Sequence, residues 1–304
     1  MRHFLTLFDL SANELAQLLE TAVDLKTKLK AGLREPLFAG HMIGLLFEKQ
    51  SLRTRVSFEA AIAHLGGNAL YLGTDAGWGK RESLEDFSRV LTSYVDAVVY
   101  RGKDHGLLEQ FAAHANCPVI NGLTNTSHPC QAMGDLLTLR EVRGELAGQK
   151  VVFVGDGNNV AHSLALGCAM VGAKFVLATP DEYQLAESYL ATILAAYPHA
   201  QIEQSSDPHA AVAGADAIYT DVWASMGQEA ETAARKKAFA PYQVNADLMS
   251  AAGEQALFMH CLPAKRGEEV TDEVIDSAAS VVVQQAENRM HAQKAILVWL
   301  FNHR

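Results

Sequence analysis

Short apolar runs alternate with segments of helical period along the whole chain. That alternation narrows the fold more than any other feature. Strand then helix, repeated at this spacing, implies parallel sheets with helices on both faces. Strands are expected at 42–47, 69–72, 97–100 and 119–120, and helices at 54–65, 83–94, 105–115 and 129–142. A leading helix follows the capping box Ser11-Ala12-Asn13-Glu14, with Leu15, Leu18, Leu19, Ala22, Val23 and Leu25 mainly on one face. A second cycle places strands at 151–154, 175–178, 217–220, 257–260 and 281–283. Its helices fall at 160–171, 184–195 and, at the end, 287–301. The expected class is α/β: two domains, each a parallel sheet flanked by helices, divided near residues 130–148 by one bridging helix. A length of 304 residues agrees with two domains.

Composition excludes several classes. Lys plus Arg is 25 and Asp plus Glu is 35, a net charge of −10, so the chain lacks the basic footprint of a nucleic-acid or acidic-membrane binder. No apolar run approaches the ~20 residues of a membrane span, and the start is too soon acidic for a signal peptide. A cytoplasmic protein is expected. Cys117, Cys130, Cys168 and Cys261 are scattered, without a CxxC pair, which argues against a disulfide scaffold or a zinc ribbon.

In open parallel sheets, ligands bind beyond the carboxyl ends of the strands, and six polar clusters fall there. Ser51-Leu52-Arg53-Thr54-Arg55 joins a strand to a helix start, where free amides, hydroxyls and guanidinium groups suit a phosphate. A plain helix cap with surface arginines is the alternative. His128-Pro129-Cys130-Gln131 places an imidazole at a helix cap, able to donate to a carbonyl oxygen or simply to satisfy a loop. Gly155-Asp156-Gly157-Asn158-Asn159 suggests a dinucleotide turn. However, the third glycine position is Val160 and no acidic residue follows at the expected distance, so a small polar ligand fits better. Asp221-Val222-Trp223-Ala224-Ser225-Met226-Gly227 offers a carboxylate and a hydroxyl to an amine, or is a polar loop. His260-Cys261-Leu262-Pro263 ends a strand. Adjacent strand residues point to opposite faces, so a His260–Cys261 dyad is expected to be geometrically poor. Glu287-Asn288-Arg289 is expected to open the terminal helix. No cluster has metal-ligand spacing, and no metal or organic cofactor is expected.

Taken together and in order, these clusters, with Tyr100-Arg101-Gly102, resemble the aspartate/ornithine carbamoyltransferases, and within them the ornithine-using branch. The resemblance covers essentially the whole chain. It implies transfer of the carbamoyl group of carbamoyl phosphate to the δ-amine of L-ornithine, giving L-citrulline and phosphate. It places carbamoyl phosphate on Ser51, Leu52, Arg53, Thr54, Arg101, His128, Gln131, Cys261, Leu262 and Arg289. It places ornithine on Asn159, Asp221, Ser225 and Met226. Arg101, His128, Asp221 and Cys261 are the implied catalytic groups. The implied division is a carbamoyl phosphate domain at 1–133, with the terminal helix 286–304 returning to it, and an ornithine domain at 134–285. A homotrimer with shared sites is also implied.

Two places depart from the family pattern. Leu52 stands where the common motif has Thr, and a Leu also occurs there in relatives that use N-succinylated ornithine. In the loop Thr74–Ser83, Gly77 and Trp78 stand where a Gln reaches the neighbouring subunit's ligand, and Lys80 or Arg81 supplies charge instead. Trp78 is expected either to pack at a subunit contact or to meet a ligand, and relatives that use acylated ornithine also carry a Trp in this loop. Asp221, Ser225 and Met226 favour free ornithine over an acylated one. Asn159 favours an acceptor with a carboxylate over putrescine. The alternatives are a carbamoyltransferase for N-acylated ornithine or putrescine, and a catalytically silent relative.

Overall fold

A computed structural model describes residues 1–78, 81–224 and 229–303. The chain divides into two compact units, one of Met1–Leu137 with Glu287–Arg304 and one of Thr138–Ala286.

The first unit carries β1 (Met42–Phe47), β2 (Asn68–Leu72), β3 (Ala97–Arg101) and β4 (Val119–Leu123) in one parallel sheet of order β2-β1-β3-β4. Its helices are α1 (Ala12–Lys30), α2 (Leu52–His64), α3 (Leu84–Tyr94) and α4 (His105–His114), and α5 (Pro129–Arg143) runs on into the second unit. Serine or aspartate caps close the starts of α1 to α4. Ser11, Ser51, Ser83 and Asp104 each accept from an amide of the first turn. Strands β1 and β3 are almost wholly buried, as the centre of a parallel sheet requires; of the two edge strands β4 is also buried and β2 is largely exposed.

The second unit carries β5 (Lys150–Val154), β6 (Lys174–Ala178), β7 (Ile202–Ser205), β8 (Ala217–Thr220) and β9 (Leu257–His260). They form a parallel sheet of order β7-β6-β5-β8-β9. Around it lie α6 (Asn159–Val171), α7 (Glu187–Ala196), α8 (Pro208–Val212), α9 (Thr232–Phe239), α10 (Ala246–Ala252) and α11 (Asp272–Ile275). The last helix, α12 (Val282–Asn302), begins in this unit and ends in the first.

The strand orders locate the functional ends. In each sheet the first strand has its successors on both sides, so the connections diverge beside it. A crevice opens at such a switch point. In the first sheet it lies between β1 and β3, whose ends are level because Phe47 pairs with Arg101. In the second it lies between β5 and β8, where Val154 pairs with Thr220.

Three expectations are corrected. Residues 281–283 are not a strand: Val281 donates one backbone bond to Phe258, and α12 starts at Val282. The three valines match a strand by composition, but Val283 is 78% exposed, as no central strand residue would be. Glu287-Asn288-Arg289 therefore lies in the second turn of α12 rather than at its opening. The helix expected from residue 184 starts at Glu187, because Asp181–Tyr183 forms a separate 3-10 turn.

Candidate active site

In the first unit, the end of β1 feeds the N-terminus of α2. Ser51 caps it, its hydroxyl accepting from the Thr54 amide at 3.4 Å. Thr54 is buried, and its Oγ1 accepts from two guanidinium groups, Arg101 Nη1 at 3.1 Å and Arg289 Nη2 at 2.8 Å. Arg101 ends β3, where the pairing with β4 slips: Tyr100 faces Asn121 but Arg101 faces Leu123, leaving Gly122 as the extra residue. A bulge of this kind re-aims the side chain that follows it. Gly122 suits it, since a Cβ there would lie 3.0 Å from the Tyr100 carbonyl.

His128 is buried beside this pair. Burial first, then Arg289 and Arg101, hold its pKa well below the usual imidazole value. The ring is therefore neutral near pH 7. Gln131 is buried on the first turn of α5 and donates to Asp135 at 2.8 Å, while its Oε1 has no partner among the described residues. Cys130 is buried, and its thiol is pushed up to about 12, so it stays inert. Arg53 is half-buried on the first turn of α2, and Leu52 beside it is 75% exposed.

The loop after β2 packs in part against its own unit. Gly77 takes a left-handed conformation (φ 76°) and is buried. Trp78 stacks on Tyr100 at 4.8 Å and meets Phe87 and Phe111 at 5.6 and 5.2 Å, so its ring joins its own unit's aromatic core. Arg81 is exposed, with its stem 3.3 Å from where a Cβ on Gly77 would be. Lys80 lies outside the described residues.

In the second unit, Asp221 follows β8 and is 8% exposed. Its carboxylate accepts from Asn158 Nδ2 at 3.0 Å, the Val222 amide at 2.8 Å and Cys261 Sγ at 3.0 Å. Asn158 also caps α6, accepting from the Val160 and Ala161 amides, so one side chain fixes both the helix start and the acid. Asn159 follows it, half-buried. Ser225 and Met226 lie outside the described residues.

Cys261 and Leu262 follow β9, and Leu262 has φ 58° and precedes a cis proline. Although opposite faces were expected for the adjacent pair, ligand-type atoms of Asp221, His260 and Cys261 lie within 4.8 Å of one another, with the Cys261 thiol donating to Asp221. The strand ends at His260, so the alternation of faces no longer applies to Cys261. Sequence spacing gave no sign of this grouping. Both nitrogens of His260 are nonetheless engaged. Nε2 meets Glu269 at 3.1 Å, and Nδ1 accepts from the Leu262 amide at 2.8 Å. The set therefore offers no free imidazole donor to a metal.

Two supports were not read from the sequence. Arg235 pairs with Asp156 at 2.8 Å and donates to the Trp223 carbonyl at 3.1 Å, tying the turn after β5 to the loop after β8. Glu269 and Gln285 hold His260, Gln285 Oε1 accepting from the His260 amide at 2.9 Å. Their partners are distant in the chain, and no local pattern signals them.

Two family models match in turn along the chain. Residues 2–141 match the family model described as aspartate/ornithine carbamoyltransferase, carbamoyl-P binding domain. Residues 147–300 match its Asp/Orn binding domain. The chain belongs to the aspartate/ornithine carbamoyltransferase family. An ornithine carbamoyltransferase of Anoxybacillus flavithermus is 49% identical over 302 residues, 98% of this chain and 96% of that one. An anabolic ornithine carbamoyltransferase of Pyrococcus furiosus is 52% identical over 299 residues, 97% of this chain and 95% of that one. Among solved structures, the Pyrococcus furiosus ornithine carbamoyltransferase has a TM-score of 0.95 at 50% identity, covering 100% of this chain and 98% of that one. The anabolic enzyme of Campylobacter jejuni has 0.93 at 35% identity, covering both chains fully. Within this family frame, Thr54, Arg101, His128 and Arg289 are drawn together in the first unit, and Asn158, Asp221 and Cys261 in the second.

Proposed function

We propose that this chain is an ornithine carbamoyltransferase. It transfers the carbamoyl group of carbamoyl phosphate to the δ-amine of L-ornithine, giving L-citrulline and phosphate. The observation that carries the reading is the convergence of Arg101 and Arg289 on Thr54, at the N-terminus of α2, beside a neutral His128. Helix amides and guanidinium groups suit a phosphate dianion. Ser51, Leu52 (through its backbone amide), Arg53 and Gln131 complete that site in this reading. Arg101, His128 and Thr54 stabilise the carbamoyl oxygen as negative charge develops, each donor contributing ~3 kcal/mol.

The neutral δ-amine attacks the carbamoyl carbon. The new C–N bond forms as the C–O bond to phosphate breaks, and the proton the amine loses leaves with the phosphate. No covalent enzyme intermediate is needed. Asp221 and Ser225 take the α-ammonium, and Asn159 with the Met226 backbone takes the carboxylate. Cys261 and Leu262 lie beside the reacting amine. The buried carboxylate of Asp221, already oriented by Asn158, favours a charged α-ammonium over an acylated nitrogen. In this reading residues 1–133 with 286–304 bind carbamoyl phosphate, and 134–285 bind ornithine. The working form is a cytoplasmic homotrimer.

The test is stoichiometry. Purified protein given carbamoyl phosphate and L-ornithine should release citrulline and phosphate in equal amounts, and neither without both substrates. Phosphate release without citrulline, or no product, overturns the reading.

A further inference from the structure

One pair of ionisable side chains in the second unit has no part in the chemistry described so far. The side chains of His260 and Glu269 are fully buried, and among the described residues no lysine or arginine side chain pairs with the acid. Glu269 Oε1 meets His260 Nε2 at 3.1 Å and accepts from the Lys265 amide at 2.6 Å. Its Oε2 is buried without a partner among the described residues. On the other side of the ring, Nδ1 accepts from the Leu262 amide at 2.8 Å.

These bonds fix the tautomer. A backbone N–H can only donate, so the Nδ1 that faces it carries no proton. The one proton of the neutral ring is then on Nε2, where the carboxylate accepts it. The opposite tautomer would set two N–H groups against each other at Nδ1. A buried acid is costly, and apolar side chains of similar volume would fill the space at least as well. They would leave the Leu262 amide without its acceptor.

That amide belongs to an unusual residue. Among the described residues, Leu262 is the one non-glycine with positive φ, at 58°, a conformation that L-residues rarely adopt. A trans peptide carries its carbonyl opposite its N–H, so the bond to Nδ1 also aims the Cys261 carbonyl away from His260. The Cys261 thiol is tied to Asp221 at 3.0 Å. The segment is thus held by its side chain and by its backbone. We propose that His260 and Glu269 are positioning residues for the transfer: Glu269 keeps the imidazole proton on Nε2, and the bare Nδ1 holds the Leu262 peptide in the turn that borders the attacking amine. The role in transfer rests on the reaction proposed above, whereas the tautomer does not.

Histidine labelled with nitrogen-15 gives the tautomer by NMR on the whole protein, the His260 signals being those lost in His260→Asn. At neutral pH without substrate, Nδ1 should resonate as a bare nitrogen and Nε2 as a protonated one. The reverse, or two protonated nitrogens, overturns the proposal. Kinetics tests what the tautomer is for. His260→Leu offers the Leu262 amide no acceptor. It should lower kcat about a hundredfold, as a misplaced reacting group does, with KM for carbamoyl phosphate changed by less than about threefold. His260→Asn puts an oxygen near the place of Nδ1 and should recover about tenfold of that loss. A packing role predicts the reverse order, since Leu suits a buried site better than Asn. Glu269→Gln keeps an acceptor, its carbonyl oxygen held by the Lys265 amide. It should stay within about threefold of wild type, while Glu269→Leu should lose about tenfold. Equal kcat in the two His260 variants, or in the two Glu269 variants, overturns this role alone. No citrulline from the wild type overturns the reaction and this role with it.

Discussion

Thr54 has one hydroxyl oxygen and two guanidinium groups depending on it. Thr54→Val keeps the shape but removes that acceptor, releasing Arg101 and Arg289 from their orientation. We expect kcat/KM to fall about a hundredfold, as for loss of one preorganised polar group, with the fold intact by circular dichroism. A fall of less than threefold would place Thr54 outside the reacting centre. His128 bears on pH. Its folded pKa is depressed, so below the unfolded value of 6.5 the unfolded chain binds the extra proton. Its contribution favours folding above that pH and is lost as pH falls. Denaturant unfolding at a series of pH values should show a gentler acid decline in His128→Gln, whereas identical declines would contradict a buried neutral ring. The same neutrality assigns any rise of log kcat/KM below pH ~8 to the substrate amine, whose own pKa lies near ~10. That slope should persist in His128→Gln, and a flat wild-type profile from pH 6 to 9 would remove the proton-loss step. Most of these residues were legible because each stands in a short motif next to a strand end. The pairing of Arg235 with Asp156 was not, the two being 79 residues apart with nothing local to join them. The capping role of Asn158 was half legible: its position after Gly157 suggested a ligand turn but not its bond to Asp221.

Elements were legible where burial is uniform. The central strands β1, β3, β5 and β8 are apolar runs buried on both faces, which composition reveals. β7, Ile-Glu-Gln-Ser at a sheet edge, carries no such run and was not read. The short helices α8 to α11 were missed because none is long enough to establish a period. Residues 281–283 failed in the opposite sense, since three β-branched residues mimic a strand where tertiary context starts a helix. The turn after β5 offers an element-level prediction. Gly157 lies so close to Gln184 and Leu185 that a Cβ would sit 2.5–2.6 Å from their backbone. Gly157→Ala should destabilise the protein by about 1–3 kcal/mol, the usual cost of overpacking, seen as a lower denaturant midpoint with unchanged slope. An unchanged midpoint would mean that the segment at 184–185 shifts freely.

At the scale of the molecule, the division into two α/β units was legible from two cycles of alternation separated by one long helix. The clusters at 51–55, 100–102, 155–159 and 221 follow the strands that flank the two switch points, while those at 128–131 and 260–263 follow the edge strands β4 and β9. What the alternation does not carry is assembly. The proposed homotrimer predicts a sedimentation-equilibrium mass of about three chains at micromolar concentration, and a monomer mass would remove the shared-site reading. Substrate choice also belongs to this scale, because it sets Leu52 and the Trp78 loop against Asp221. The most direct test is kcat/KM for L-ornithine, N-acetylornithine, N-succinylornithine and putrescine measured in parallel with carbamoyl phosphate. Ornithine should lead the two acylated forms by at least about a thousandfold, since a buried carboxylate left without its ammonium partner discriminates strongly, and should also lead putrescine, which has no carboxylate for Asn159 to meet. An acylated ornithine or putrescine in the lead would contradict the account and make Leu52 and the Trp78 loop the residues that decide the acceptor.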